Sequence, residues 1–229
     1  WENWSLRVDF NAREGLVLHD VRFDDRSVLT RASVPEMVVP YGEVRETQAF
    51  KNALDVGEVG LGRTVNSLTL GCDCLGEITY VDGILPDTSG QPQTIKNAIC
   101  LHEEDDAVLW KHVDPDAGTE VRRMRRFVVS VHATVANYEY LVYWRFYPDG
   151  NIECEIRATG IMVSTPMEDE TATFPTGTVI DRRTYAPYHQ HFLVARLDLD
   201  IDGDDNTVIE SDSMAAPISD TNPLGLDLN

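Results

Sequence analysis

Positive charge is scarce in this sequence of 229 residues: 19 lysines and arginines stand against 39 aspartates and glutamates, a formal net charge of −20. Nucleic-acid backbones and anionic lipid headgroups both require cationic surface, so neither is expected as a partner. Long hydrophobic runs are also missing. No apolar stretch approaches the roughly 20 residues that a membrane-spanning helix needs, and no membrane association is expected. Cysteine is sparse: Cys72, Cys74, Cys100 and Cys154 are too few for a disulfide scaffold. The spacing in Cys72-Asp73-Cys74 leaves one residue between the thiols, where a structural zinc knuckle leaves two. Helical stripes are nearly absent. Only residues 34–38, Val34-Pro35-Glu36-Met37-Val38, suggest a short helix.

Strand-like segments fill what remains. Leu6-Arg7-Val8-Asp9-Phe10 and residues 16–21 alternate in polarity, and residues 127–131 form a nearly continuous apolar run. Residues 140–147 are rich in aromatic and β-branched side chains, followed by Pro148-Asp149-Gly150 and a second alternating segment over 151–157. That order is a hairpin signature. Residues 192–200 alternate again, while 164–178 and 211–229 read as loops. Apolar residues make up 42% of the chain, enough for a sizeable core. The expected fold class is all-β, a single large β-sandwich domain over residues 1–229. The opening Trp1-Glu2-Asn3-Trp4 and the absence of a closing strand suggest a domain that is incomplete at both ends.

His189-Gln190-His191 carries chemistry most directly. Residues i and i+2 of a strand share a face, so both imidazoles can reach one transition metal, and imidazole suits copper, zinc, iron or nickel. Two imidazoles need further ligands; the cupin pattern, with a carboxylate close behind the pair, is not present. Gly57, Gly60 and Gly62 have the wrong order for a dinucleotide fingerprint and read as turn geometry. Asp198, Asp200, Asp202 and Gly203 begin like an EF-hand, but Ile209 stands where the twelfth-position acid belongs. Arg122, Arg123, Arg125 and Arg126 read as internal salt-bridge partners in so acidic a chain. His19, His102, His112 and His132 read as structural.

Thr134-Val135-Ala136-Asn137-Tyr138-Glu139 matches T-x-x-N-Y-[DE], and residues 51–58, Lys51-Asn52-Ala53-Leu54-Asp55-Val56-Gly57-Glu58, match N-x-x-D-x-G-E. Val39-Pro40-Tyr41-Gly42, the Cys72-Asp73-Cys74 stretch, the Ala98-Ile99-Cys100 stretch and the His189/His191 pair follow in a fixed order along almost the whole chain. In this the sequence resembles the catalytic domain of the copper amine oxidases. The resemblance implies oxidative deamination of primary amines by dioxygen, with aldehyde, ammonia and hydrogen peroxide as products. It implies copper(II) held by His189 and His191, and topaquinone formed from Tyr138 beside Asn137. Tyr41 is implied to hydrogen-bond a quinone oxygen and Asp55 to be the catalytic base. A quinone carbonyl is an electrophile and electron sink, and a carboxylate in an apolar setting has a raised pKa suited to removing a carbon-bound proton. The resemblance further implies a Cys74–Cys100 disulfide, a second cation site for calcium at Asp198, Leu199 and Asp200, and a homodimer.

The family's third copper histidine lies far downstream of the H-x-H pair, and none of the 38 residues after His191 is histidine. The rest of the catalytic domain is expected to supply it. The family places a gate-like side chain two residues before the base; the resemblance therefore implies, with Ala53 there, a wider channel suited to arylalkyl or longer amines. The arms with which family subunits embrace each other are not evident in the sequence. The competing reading is a catalytically inactive fragment, or a metal-binding β-module on the same scaffold, in which Tyr138 stays an unmodified phenol.

Overall fold

The computed structural model describes residues 1–42, 56–168 and 175–227. The chain runs β1 (Trp4–Asn11), β2 (Gly15–Phe23), β3 (Arg26–Val38), one α-helical turn α1 (Val56–Val59) and a 3₁₀ turn (Leu61–Thr64). Five strands follow: β4 (Thr79–Pro86), β5 (Pro92–Asp114), β6 (Gly118–Val135), β7 (Tyr138–Phe146) and β8 (Ile152–Gly160). The last are β9 (Thr165–Pro166), β10 (Gly177–Asp181), β11 (Thr184–Pro187) and β12 (Phe192–Leu199). They form a four-stranded sheet β1-β2-β3-β12, a five-stranded sheet β4-β5-β6-β7-β8 and a small sheet β10-β11-β9. No helix among the described residues is long and apolar enough to cross a membrane.

The two larger sheets pack face to face, as the alternating patterns require. Leu16, Leu18, Leu29, Ala32 and Met37 from one sheet meet Ile99, Val129, Val131, Val142, Trp144 and Phe146 from the other. Trp4 closes one end of this core, 4.8 Å from the Phe23 ring and 5.1 Å from Phe146. Its indole N–H donates to the Tyr147 carbonyl at 2.7 Å. The apolar run at 127–131 is explained by double burial. Val129 and Val131 face the sandwich, whereas Val128 and Ser130 are covered on the opposite face.

The short helix expected at 34–38 is instead the end of β3. Val34 and Met37 are buried in the core, and the sheet absorbs Pro35 at a register shift. Val194 pairs with Glu36 and Arg196 with Ser33, so Val34 and Pro35 together oppose Ala195. A bulge is where a strand tolerates a residue with no N–H to donate.

Turn and glycine readings hold. The β7–β8 hairpin closes through Gly150 (φ +94) with Tyr147 N–H on the Asn151 carbonyl at 3.0 Å. At Gly62 a Cβ would lie 1.9 Å from the Asn11 carbonyl oxygen, so this glycine serves close backbone packing, not a phosphate.

One element was not evident in the sequence. β5 pairs with β4 only as far as Leu101, and β6 with β7 only from Phe127 onward. Residues 103–126 therefore project as a two-stranded ribbon to which, among the described residues, no third strand pairs. Arg123 pairs with Asp105, Arg125 with Glu103, and Arg126 with Glu104 and Asp106. The arginine run thus forms cross-strand ion pairs, as expected. Exposed pairs of this kind are screened by water and contribute little, so they set register more than stability. Val108, Leu109, Trp110 and Val113 on the ribbon are exposed.

Candidate metal and cofactor site

The site begins at the hairpin between β6 and β7. Val135 pairs with Tyr138, leaving Ala136 and Asn137 as a two-residue connection with Ala136 at φ +54. The next pair inward is Thr134 with Glu139. The Thr134 hydroxyl donates to the Glu139 carboxylate at 2.8 Å, and the Asn66 amide donates to Thr134 Oγ1 at 2.9 Å. These side chains clamp the hairpin on one face. Tyr138 and Tyr140 consequently share the other face, which looks into the sandwich.

Gly160 pairs directly with Tyr138 and is held at φ +102. A Cβ there would lie 2.6 Å from the Asn137 carbonyl oxygen and 2.8 Å from Tyr138 Cα. The chain beyond it turns back onto the tyrosine. Ile161 N–H donates to the Asn137 carbonyl at 2.7 Å, and Val163 N–H donates to the Tyr138 hydroxyl at 3.1 Å. Asn137 is exposed and contacts this segment through its backbone.

The opposite wall comes from the segment between β11 and β12 and from the residues after β3. Gly42 N–H donates to the Tyr188 carbonyl at 2.8 Å, and Gln190 N–H to Pro40 at 3.2 Å. That pairing sets Tyr41 beside His189, their rings stacked at 4.5 Å. The His189 and His191 ring centroids are 5.0 Å apart. Tyr138 lies 5.5 Å from His189 and 5.7 Å from His191. Tyr41, Tyr138, His189 and His191, chosen across 150 residues of sequence, are therefore neighbours.

Hydrogen bonding prepares both imidazoles. His189 Nδ1 lies 3.1 Å from the Pro187 carbonyl; a carbonyl only accepts, so the proton sits on Nδ1 and Nε2 keeps its lone pair. His191 Nδ1 is 2.9 Å from the Tyr140 hydroxyl. Burial, with His189 beside it, lowers the His191 pKa and favours the neutral ring that binds metals. Burial also raises the Tyr41 pKa, and its hydrogen bond with Tyr138 adds to this. Two imidazoles whose Nδ1 atoms are both engaged by hydrogen bonds fit copper in donor type. Among the described residues no cluster of three or more histidine, cysteine or acidic side chains is gathered for a metal. A shallow groove of about 400 Å³, lined by Met162, Ile180, Pro187 and Tyr188, opens beside His189.

The other expected residues are distributed as follows. Asp55 and Ala53 lie outside the described residues. Asp198 and Leu199 end β12, and Asp200 follows with its N–H on the Val28 carbonyl at 3.0 Å. The Asp200 carboxylate accepts from the Ser27 hydroxyl, and Asp202 is paired with Arg26. Among the described residues no third acid is gathered with them for a metal. Cys74 and Cys100 are buried in one small cluster with Leu68, as two thiols without a bond between them in this structure. Burial and the Cys74 thiol raise the Cys100 pKa.

The sequence profile for the copper amine oxidase enzyme domain matches residues 1–229. The chain belongs to the copper amine oxidase family. It is 52% identical to a primary amine oxidase of Arthrobacter sp. (strain P1) over 98% of this chain and 35% of that protein. It is 50% identical to a histamine oxidase of Arthrobacter globiformis over 98% of this chain and 33% of that protein. Among solved structures, a copper-containing benzylamine oxidase from Hansenula polymorpha superposes with TM-score 0.86 at 38% identity, covering 100% of this chain and 36% of that one. The chain thus spans about a third of the length of these relatives. As a copper amine oxidase chain it uses more residues than its motifs announced. Tyr140, Gly160, Val163 and the Thr134–Glu139 clamp all bear on Tyr138 or His191. The i, i+2 relation to Tyr138 marks Tyr140 in the sequence; nothing local marks Gly160.

Proposed function

We propose that the complete protein oxidises primary amines with dioxygen, releasing aldehyde, ammonia and hydrogen peroxide. The observation that carries this reading is the Tyr138 phenol facing two imidazoles at 5.5 and 5.7 Å, in a chain of this family. His189 and His191 would hold copper(II) through Nε2. A third ligand would come from outside these residues. Copper with dioxygen supplies the oxidation of Tyr138 to topaquinone, and the quinone supplies the electrophilic carbonyl and electron sink for the amine.

The chain's own residues do the rest. Val163 N–H and Tyr41 hold the Tyr138 hydroxyl from opposite walls, and the Asn137 carbonyl anchors the segment that carries Val163. Tyr41, kept a neutral phenol by burial, donates a hydrogen bond to the ring oxygen. Asp55 removes the carbon-bound proton of the bound amine, and the small side chain at Ala53 leaves room for arylalkyl or longer substrates. Cys74 and Cys100, buried in one cluster, would close a disulfide. Asp198, the Leu199 carbonyl and Asp200 would take calcium. The exposed apolar side chains of the ribbon at 103–126 suit contact with a second copy, giving a homodimer.

Peptide mass spectrometry of the complete polypeptide, prepared copper-free and then given copper and air, tests this. Two oxygens gained and two hydrogens lost on the Tyr138 peptide are expected, with phenylhydrazine forming a coloured adduct. An unchanged Tyr138 in copper-loaded protein would sink the proposal in favour of a non-catalytic metal-binding scaffold. The same digest without reductant should show Cys74 joined to Cys100.

A further inference from the structure

We propose that Tyr140 is a positioning residue that fixes the orientation and tautomer of His191, and so decides which nitrogen that ring offers to the metal. The inference rests on the amine oxidase reading above. Tyr140 is 3% exposed, and its ring lies 5.6 Å from that of His191. A buried phenol hydroxyl requires a partner. Among the described residues its hydrogen-bond partner is His191 Nδ1 at 2.9 Å.

The direction of that bond follows from the chemistry. A metal at Nε2 uses the lone pair there, so the proton of the neutral ring sits on Nδ1 and is donated to the Tyr140 oxygen. Tyr140 then serves as acceptor. Tyr140 accepts as a neutral phenol, the ordinary form of tyrosine near neutral pH, and adds no charge beside the metal. While Tyr140 holds Nδ1, that nitrogen cannot become the ligand atom.

The two ligands are therefore held in unequal ways. His189 is anchored by the Pro187 backbone carbonyl, which no side-chain substitution removes. His191 is anchored by a side chain, which one substitution can remove. Tyr140 also stands two residues from Tyr138 on the same strand face, with ring centroids 6.5 Å apart. A shift of β7 therefore moves the residue to be oxidised and the support of a metal ligand together.

The test uses the complete polypeptide and Y140F, both copper-free at the start. Copper(II) affinity is measured by competition with a chelator, and the copper environment by electron paramagnetic resonance. Y140F should bind copper roughly 10–100-fold more weakly, the usual cost of losing a partner behind a ligand. It should also change the copper hyperfine splitting and slow the conversion of Tyr138. Y143F, which alters the opposite face of β7, should keep the wild-type affinity and spectrum. Wild-type affinity and spectrum in Y140F would overturn the proposal, whatever its melting temperature, because packing alone does not set a hyperfine splitting. Should Y140F fail to fold, a crystal structure of the copper-loaded wild type decides. Nδ1 of His191 on the Tyr140 oxygen with Nε2 on copper supports the proposal; copper on Nδ1 overturns it. A wild type that neither binds copper nor converts Tyr138 would instead remove the amine oxidase reading, and this inference with it.

Discussion

Replacing Gly160 by alanine should damage the Tyr138 site more than its fold position at a strand end suggests. The backbone there is at φ +102, a conformation that costs a residue with a side chain roughly 1–3 kcal/mol. The added methyl also meets backbone atoms. It lies 2.6 Å from the Asn137 carbonyl oxygen and 2.8 Å from both Glu139 N and Tyr138 Cα. None of these can rotate aside, so overpacking adds roughly 1–3 kcal/mol more. A total of about 2–6 kcal/mol lowers the melting temperature by roughly 5–20 °C for a domain of this size. Relief comes only if the end of β8 moves outward, which stretches the Ile161 and Val163 hydrogen bonds to Asn137 and Tyr138. The copper-driven conversion of Tyr138 should then slow as well. G150A is the control: Gly150 also has a positive φ, +94, but its Cβ would meet only the Phe23 ring edge at 3.4 Å. It should lose about 1–2 kcal/mol of stability and leave Tyr138 conversion unchanged. Calorimetry with a timed peptide digest reads both effects. G160A matching G150A on both counts would refute the argument that Gly160 exists to let β8 pass under Tyr138.

Two further outcomes are expected away from the site. The Arg145 guanidinium is 3% exposed and is held by Glu153 at 3.0 Å and by Glu155; R145A should lower the urea-unfolding free energy by about 2–4 kcal/mol. That is somewhat below the loss for a fully buried pair, because both glutamates keep some water; a loss under about 1 kcal/mol would show that the ions rehydrate freely. Glu104 accepts from His102 and pairs with Arg126, which hold its pKa down at about 2 against the opposing effect of burial. A depressed folded-state pKa stabilises the fold above the ordinary carboxylate value and is lost as pH falls towards 2. Between about pH 5 and 2 the wild type should thus lose stability more steeply than E104Q, and parallel denaturant midpoints would contradict this.

Much of the fold was legible because its strands alternate cleanly and its turns carry Gly150 and Pro148. The candidate site was legible through motif spacing: Tyr41, Tyr138, His189 and His191 meet as the resemblance implies. Pro35 misled because a proline in a short apolar segment reads as a helix start, while the bulge that accommodates it in β3 is defined by pairing with β12, more than a hundred residues away. The ribbon at 103–126 was hidden because exposed valines and a tryptophan among charges carry no periodic sign of what they face. Gly160 and Val163 were missed for a similar reason. Their role depends on which strand lies beside Tyr138, and only the pairing of β7 with β8 reveals it. Tyr140 was visible as a neighbour of Tyr138, but its task follows from a histidine contributed by a distant segment.

The two-residue connection at Ala136 and Asn137 has a consequence for how such a protein can vary over generations. Along β7 the side chains alternate between the side that faces His189 and His191 and the clamp of Thr134 and Glu139. Inserting or deleting a single residue in that connection would exchange the two sets, turning Glu139 towards the histidines and both tyrosines away from them. Substitutions near the hairpin can be tolerated one by one, whereas a change of length is all or nothing. The spacing between Thr134 and Tyr138 is thus a heritable ruler, constrained more tightly than the identity of Val135 or Ala136 within it.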